Sequence, residues 1–249
     1  MTTELAVVDT GNYLALQDGG AIAEAMAANL GDGAALKESD LTKVPIPSGG
    51  GTTWMVPSIT GEAPEKAIEG VLVYQCVRGV LWPREEPEEG TLPALVTDDL
   101  KIARIVSQDL SNDFLESIAG ARNEDGTYRW ADLPQCEWGS GKNGHGKAAK
   151  EQRVLFILRE QEPLPLVVAI QPGSLKNWRG FIMELTKAGI PFWRAVISLG
   201  LEKSQSGGGQ PFSKVVPSLV GVLSDEQGKV IREKFTEPMR AVAASGSEG

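Results

Sequence analysis

The sequence predicts an α+β chain that is mostly β. Three observations carry that expectation. Short apolar runs rich in β-branched and aromatic residues recur between glycine and proline breaks, at 70–82, 154–158, 164–170, 192–201 and 215–223. One amphipathic segment, with Leu175, Trp178, Ile182 and Leu185 spaced three, four and three apart, marks an embedded helix. Ser224-Asp225-Glu226-Gln227 is a capping-box pattern that opens a C-terminal helix running through about Phe235. No internal repeat is visible. Few helices among closely spaced strands fit a partly open, OB-like barrel best.

Taken in order, residues 1–43 read as a helical leader, with Ile22, Met26 and Leu30 at spacing four and Gly31 and Gly33 ending the helix. Pro45-Ile46-Pro47-Ser48-Gly49-Gly50-Gly51 breaks the chain, so the β-rich domain is placed at 44–223 and a C-terminal helix with its tail at 224–249. Within the domain, 52–57 reads as a short strand and 61–69 as a polar connection. The strand 70–82 is long enough to bend at Gly79 and stops at Pro83; Cys76 within it reads as a plain strand residue. Glu85-Glu86-Pro87-Glu88-Glu89 is a solvated acidic loop that would repel nucleic acid from one face. Residues 91–137 are the least patterned, apart from a short helix at 112–118 capped by Ser111 and a turn at Asn123-Glu124-Asp125-Gly126. The runs 154–158 and 164–170 form a hairpin with a proline-marked edge. Ser174 caps the embedded helix and Gly189 follows its end. In the run 192–201, strand alternation puts Phe192 and Arg194 on one face and Trp193 on the other. Gly207-Gly208-Gly209 is a loop tip, and 243–249 reads as a disordered tail.

At 249 residues the chain has room for one large domain or two small ones. No apolar run approaches the roughly 20 residues of a membrane span. The N-terminus has no basic region of a secretory signal, and two cysteines build no disulfide framework, so the setting is expected to be cytoplasmic. The net charge of −9 argues against a wholly basic, nucleic-acid-coating surface. The charge is uneven, however. Residues 138–214 hold 11 Lys/Arg against 5 Asp/Glu, and the rest of the chain holds 13 against 28.

That basic stretch opens on a glycine-rich loop, Trp138-Gly139-Ser140-Gly141-Lys142-Asn143-Gly144-His145-Gly146-Lys147. Part of it matches the glycine-x4-glycine-lysine of a phosphate-binding loop, but Ala148 stands where that motif needs Ser or Thr for magnesium, and no buried strand precedes it. His145 is the only histidine, with no metal-ligand spacing around it, and no metal or cofactor is expected. The acid pairs Asp98-Asp99 and Glu124-Asp125 read as turns. What remains is a set of cations and rings suited to single-stranded nucleic acid, which is bound by pairing a positive groove with stacking platforms. The candidates are Trp138, Lys142, His145, Lys147, Lys150, Arg153, Lys176, Arg179, Phe192 and Arg194, with Trp178 and Trp193 as further rings.

Several segments together resemble a family of phage and mobile-element proteins, mostly uncharacterised. They are 45–54, 69–82, Trp138-Gly139-Ser140-Gly141, Gly146-Lys147-Ala148-Ala149-Lys150, Leu155-Phe156-Ile157-Leu158-Arg159, Ser174-Leu175-Lys176 and Gly200-Leu201-Glu202-Lys203. The likeness covers most of residues 41–235. It implies an OB-fold single-stranded-DNA-binding protein of replication or recombination. Relatives carry a Cys-x2-Cys and a Gly-Lys-Ala-Cys that suggest zinc. Here those positions are Trp130, Leu133 and Ala148, and Cys136 is out of register, so apolar packing is expected instead.

The expected function is therefore non-enzymatic binding of single-stranded DNA with little sequence preference, by a protein that meets no membrane and works as a homo-oligomer or beside replication and recombination proteins. The alternatives are an assembly component that contacts no nucleic acid and, on the imperfect phosphate loop alone, a nucleotide-dependent enzyme.

Overall fold

The structure, a computed structural model, describes residues 35–84, 91–160 and 162–245, together with Tyr13, Glu24, Ala28, Asn29 and Gly31. Of the expected leader helix, Glu24, Ala28 and Asn29 are described and helical; the rest of it, the acidic run 85–89 and the tail 246–249 lie outside these residues. The fold is α+β and mostly β, with antiparallel pairing dominant. The strands are β1 (Trp54–Ser58), β2 (Gly61–Glu65), β3 (Ala67–Leu81), β4 (Leu95–Thr97), β5 (Ile102–Ile105), β6 (Tyr128–Arg129), β7 (Lys150–Leu158), β8 (Leu166–Ile170), β9 (Ala195–Gln205) and β10 (Pro211–Val222). The helices are α1 (Asn112–Ile118), α2 (Pro172–Lys187), α3 (Asp225–Ile231) and α4 (Glu237–Ser245). β1 and β2 form their own two-stranded ribbon, and the other strands form a sheet with free ends, so no barrel closes.

The chain divides into two units, one from Met1–Gln75 and Leu155–Ala243, the other from Cys76–Val154 and Ala244–Gly249. In the first, β9 pairs antiparallel with β10 and with the start of β3, while β7 pairs with β8 and β3. The alternation of β7 explains its double burial. Leu155 and Ile157 enter a core with Trp54, Ile68, Leu72, Trp178, Ile197 and Leu199; Phe156 and Leu158 point the other way and are buried too. The first face is covered by α2, whose Trp178 and Leu185 are buried and whose Leu175 and Ile182 pack at the margin, as their spacing requires. Gly189 takes a left-handed φ of 69° just past the helix end. The helix start differs from expectation. Gln171 is the N-cap, Pro172 occupies the first turn, and Ser174 lies inside the helix with its buried hydroxyl accepting the Val215 N–H of β10 at 2.9 Å.

At the C-terminal end the Ser224–Gln227 capping box forms in both directions. The helix then passes through a π-helical turn at Arg232–Thr236 and continues as α4, farther than its sequence pattern suggests. Thr236 donates its hydroxyl to the Val73 carbonyl at 2.8 Å, and Phe235, Met239, Val242 and Ala243 are buried, so residues 243–245 belong to a packed helix rather than a tail. The connection expected at 61–69 is instead β2 and the start of β3. Its Gly-Glu-Ala-Pro-Glu sequence has poor strand propensity, and it pairs because a two-residue turn folds it back on β1, with Ser58 opposite Gly61.

In the second unit, β3 ends antiparallel to β4, followed by β5 and β6. Its core holds Leu81, Leu95, Ala103, Ile118, Tyr128, Trp130 and Leu133, with Cys136 and Ala148 packed against it. Trp130 and Leu133 thus do supply apolar packing. Burial pushes the Cys136 thiol up to about 11, and its Sγ donates to the Trp130 carbonyl at 3.0 Å. The Ser111 cap forms as expected, accepting the Phe114 N–H at 3.2 Å.

Candidate nucleic-acid interface

The glycine-rich loop is built to close on itself. Gly139 and Gly141 both donate their N–H to the Gly146 carbonyl (2.7 and 3.2 Å), and Gly144 and His145 donate to Gly141 and Lys142. The Ser140 hydroxyl lies 2.8 and 2.7 Å from the Gln135 and Glu137 carbonyls and accepts the Ala148 N–H at 3.0 Å. Gly139, Gly144 and Gly146 adopt left-handed φ, which only glycine does without strain. Gly141 is required by proximity, since a Cβ there would sit 2.3 Å from the His145 carbonyl oxygen. These four amides bond to the loop's own carbonyls and are not available to cradle a phosphate. Gly141→Ala should cost about 1–3 kcal/mol through overpacking. A denaturant midpoint unchanged from the parent would show that the loop opens without cost.

The closed loop forms one wall of a cleft of 230 Å3 in the second unit. Arg84, Lys142 and Lys150 line it together with Trp82, Phe114 and Gln135, and no Asp or Glu is among its described lining residues. Arg84 and Lys142 are exposed. Lys150 is held in place because its ammonium donates to the Lys147 carbonyl, which leaves two further donors. Gln135 donates its Nε2 to Ser117 Oγ at 3.0 Å, and its buried Oε1 has no donor. A larger depression of 590 Å3 in the same unit includes Arg84, Leu92, Gln108 and Asp109 but has no aromatic ring among its described lining residues, which makes it the poorer platform for a base.

Of the ten residues nominated from sequence, Trp138, Lys142, His145, Lys147, Lys150 and Arg153 lie in the second unit, and Lys176, Arg179, Phe192 and Arg194 in the first. Lys142 and Lys150 reach the cleft. Trp138 is 82% exposed on the loop, an unusual position for so large a ring. His145 is exposed on the same loop. Lys147 pairs with Glu151 at 3.4 Å. Arg153 is half-buried on β7, and burial lowers its guanidinium pKa. In the first unit, Lys176 and Arg179 are exposed on α2, one turn apart.

No protein-family model matches the chain, and neither a curated protein nor a solved structure is significantly similar to it.

Phe192 and Arg194 are placed differently from the strand reading. Pro191 starts a 3-10 turn over Phe192–Arg194, and strand alternation begins only at Ala195. Phe192 packs against the core and meets Trp193 edge-on at 5.1 Å, while the Arg232 guanidinium sits 5.4 Å from the Trp193 ring centre. The Arg194 Nε donates to the Leu223 carbonyl at 2.9 Å and its Nη1 pairs with Asp225, so this arginine ties β9 to the start of α3. Trp178 is buried, with its indole N–H on Gln75 Oε1 at 3.0 Å, and offers no stacking face. The acid pairs are used locally. Asp98 pairs with Arg104, Asp99 accepts the Lys101 and Ile102 N–H groups, and Asp125 accepts from Thr127. Among the described residues no cluster of His, Cys, Asp and Glu could hold a metal ion, and no helix is long and apolar enough to cross a membrane.

The sequence reading missed Trp82, Arg84 and Phe114. Trp82 and Arg84 directly precede the acidic run, whose charge masks their cation and ring in any window average. Phe114 sits in the least patterned part of the chain. The available signal was the pairing of Trp82 with Arg84 just past a strand end, where side chains leave the sheet.

Proposed function

We propose that this protein binds single-stranded DNA without catalysing a reaction, and that the cleft of Arg84, Lys142, Lys150, Trp82 and Phe114 is its contact. The observation that carries the reading is the convergence of three cations and two rings in a cleft with no acid among its described lining residues. Lysine and arginine neutralise phosphates and release counterions, while aromatic faces stack bases with little regard to sequence. Trp138, exposed beside the cleft's loop wall, supplies a further platform. The finer fold description that accompanies this reading is an OB-like, partly open sheet, and the resemblance to phage and mobile-element proteins points to replication or recombination in the cytoplasm. Fluorescence anisotropy of labelled oligothymidine, titrated at several salt concentrations, tests it. Binding should weaken linearly in log–log salt with a slope near −0.7 per phosphate neutralised. Absence of binding at low salt would remove the reading.

A second reading, an assembly component, draws support from the β1–β2 ribbon, whose tip residue Ile59 is fully exposed and whose Met55 is 40% exposed. A defined oligomer that ignores oligonucleotides would favour it.

A further inference from the structure

We propose that the first unit carries a separate site, a cavity that holds a primary alkylammonium group. The cavity measures 280 Å3 and is lined by Tyr13, Glu69, Arg159, Glu160, Val196 and Val220, all of the first unit. The proposal does not depend on the single-strand reading, which concerns the other unit. Tyr13 is the observation that points to a ligand. It is 2% exposed, yet no hydrogen bond to its hydroxyl forms among the described residues. A buried phenol ordinarily has a partner. Burial first, then the charges of Glu160 and Glu69, push the phenol up to about 12, so it stays protonated near neutral pH. The two carboxylates that act on it line the same cavity, which places the hydroxyl on the cavity side.

Charge selects the sign of the ligand. Glu69 and Glu160 are exposed, and neither forms an ion pair among the described residues. Arg159, the cation among the described lining residues, is committed elsewhere: its Nη2 meets both oxygens of Glu65 at 2.9 and 3.0 Å, and its Nη1 lies 3.3 Å from Glu162. The residues outside the description include no Lys, Arg or His, so none of their side chains brings a countercharge. Donor count selects the class. An ammonium has three N–H donors and no acceptor, and the Glu69 and Glu160 carboxylates with the Tyr13 hydroxyl oxygen make three acceptors. A divalent cation fits less well, because among the described residues no three His, Cys, Asp or Glu side chains could hold a metal ion. Val196 and Val220 give an alkyl stem an apolar surface. The volume falls just below the roughly 300–1,000 Å3 of pockets for drug-sized ligands, which suits a short unbranched amine.

The test is calorimetric titration of the full chain, at neutral pH and low salt, with n-butylammonium and with butyltrimethylammonium, which has the same charge and no N–H donor. One charge-assisted hydrogen bond corresponds to about tenfold in Kd, so the primary amine should bind at least about tenfold more tightly. Tyr13→Phe keeps the ring and removes one acceptor, and should weaken binding about tenfold. Glu69→Gln with Glu160→Gln, both at exposed positions, should weaken it about a hundredfold while the thermal melt stays unchanged. The same ammonium occurs on free linear diamines and on lysyl side chains. Tighter binding of 1,4-diaminobutane than of lysine capped at both backbone ends assigns the site to a free amine, and the reverse order assigns it to a partner's lysine. Equal affinity for butyltrimethylammonium would reduce the site to charge attraction and overturn the proposal. Full affinity in the double variant, or no binding of the primary amine at millimolar concentration, would overturn it too. None of these outcomes bears on oligothymidine binding.

Discussion

Replacing Arg84 and Lys142 together by glutamate is expected to weaken oligothymidine binding on the order of a hundredfold. Each charge-assisted hydrogen bond contributes about 1.5–3 kcal/mol, so losing two costs about 3 kcal/mol or more, and 1.4 kcal/mol is tenfold. Reversal of charge adds repulsion to the loss. The salt slope should also fall by about two phosphate contacts. Both residues are exposed, so the melting temperature should hold and the effect can be read as binding alone. Lys150 is left intact because its ammonium also fastens the loop. Unchanged affinity in the double variant would take the cleft out of the binding surface.

The second large effect concerns stability. Trp54→Ala should cost about 3–5 kcal/mol, the usual range for emptying a large aromatic site in a core. Trp54 is completely buried, and its indole N–H donates to the Leu199 carbonyl at 2.8 Å. It stands at the first residue of β1 and so anchors the ribbon to the core that also contains Ile68, Leu72 and Leu155. Against a typical total of about 5–15 kcal/mol, that loss is a large share. Trp54→Phe keeps most of the volume and loses the donor, so its cost should be near 1 kcal/mol. Equilibrium urea unfolding separates the two. A Trp54→Ala midpoint within error of the parent would mean the ribbon is held by other contacts, such as Arg159 Nη2 to both oxygens of Glu65 at 2.9 and 3.0 Å.

The elements legible in the sequence are those whose pattern is local. β3 follows from a run of β-branched residues, α2 from apolar spacing, α1 and α3 from their caps. β2 was illegible because its pairing partner, not its own composition, makes it a strand. The 3-10 turn at Phe192–Arg194 was illegible for a related reason: Arg194 is drawn out of strand geometry by Leu223 and Asp225, some thirty residues away. The site divides in the same way. Lys142 and Lys150 stand out in a basic stretch of sequence. Arg84 and Phe114 come from the acidic remainder, and only folding brings them to the same cleft.

The closed loop also has a thermodynamic consequence. Its left-handed glycines, which would be the most disordered residues of an open loop, are held by hydrogen bonds before any ligand arrives. A wall already closed by hydrogen bonds surrenders little conformational freedom on association, so on the proposed single-strand reading most of the entropic penalty would fall on the strand. Preorganisation of this kind favours capture by simple collision over a slow ordering step.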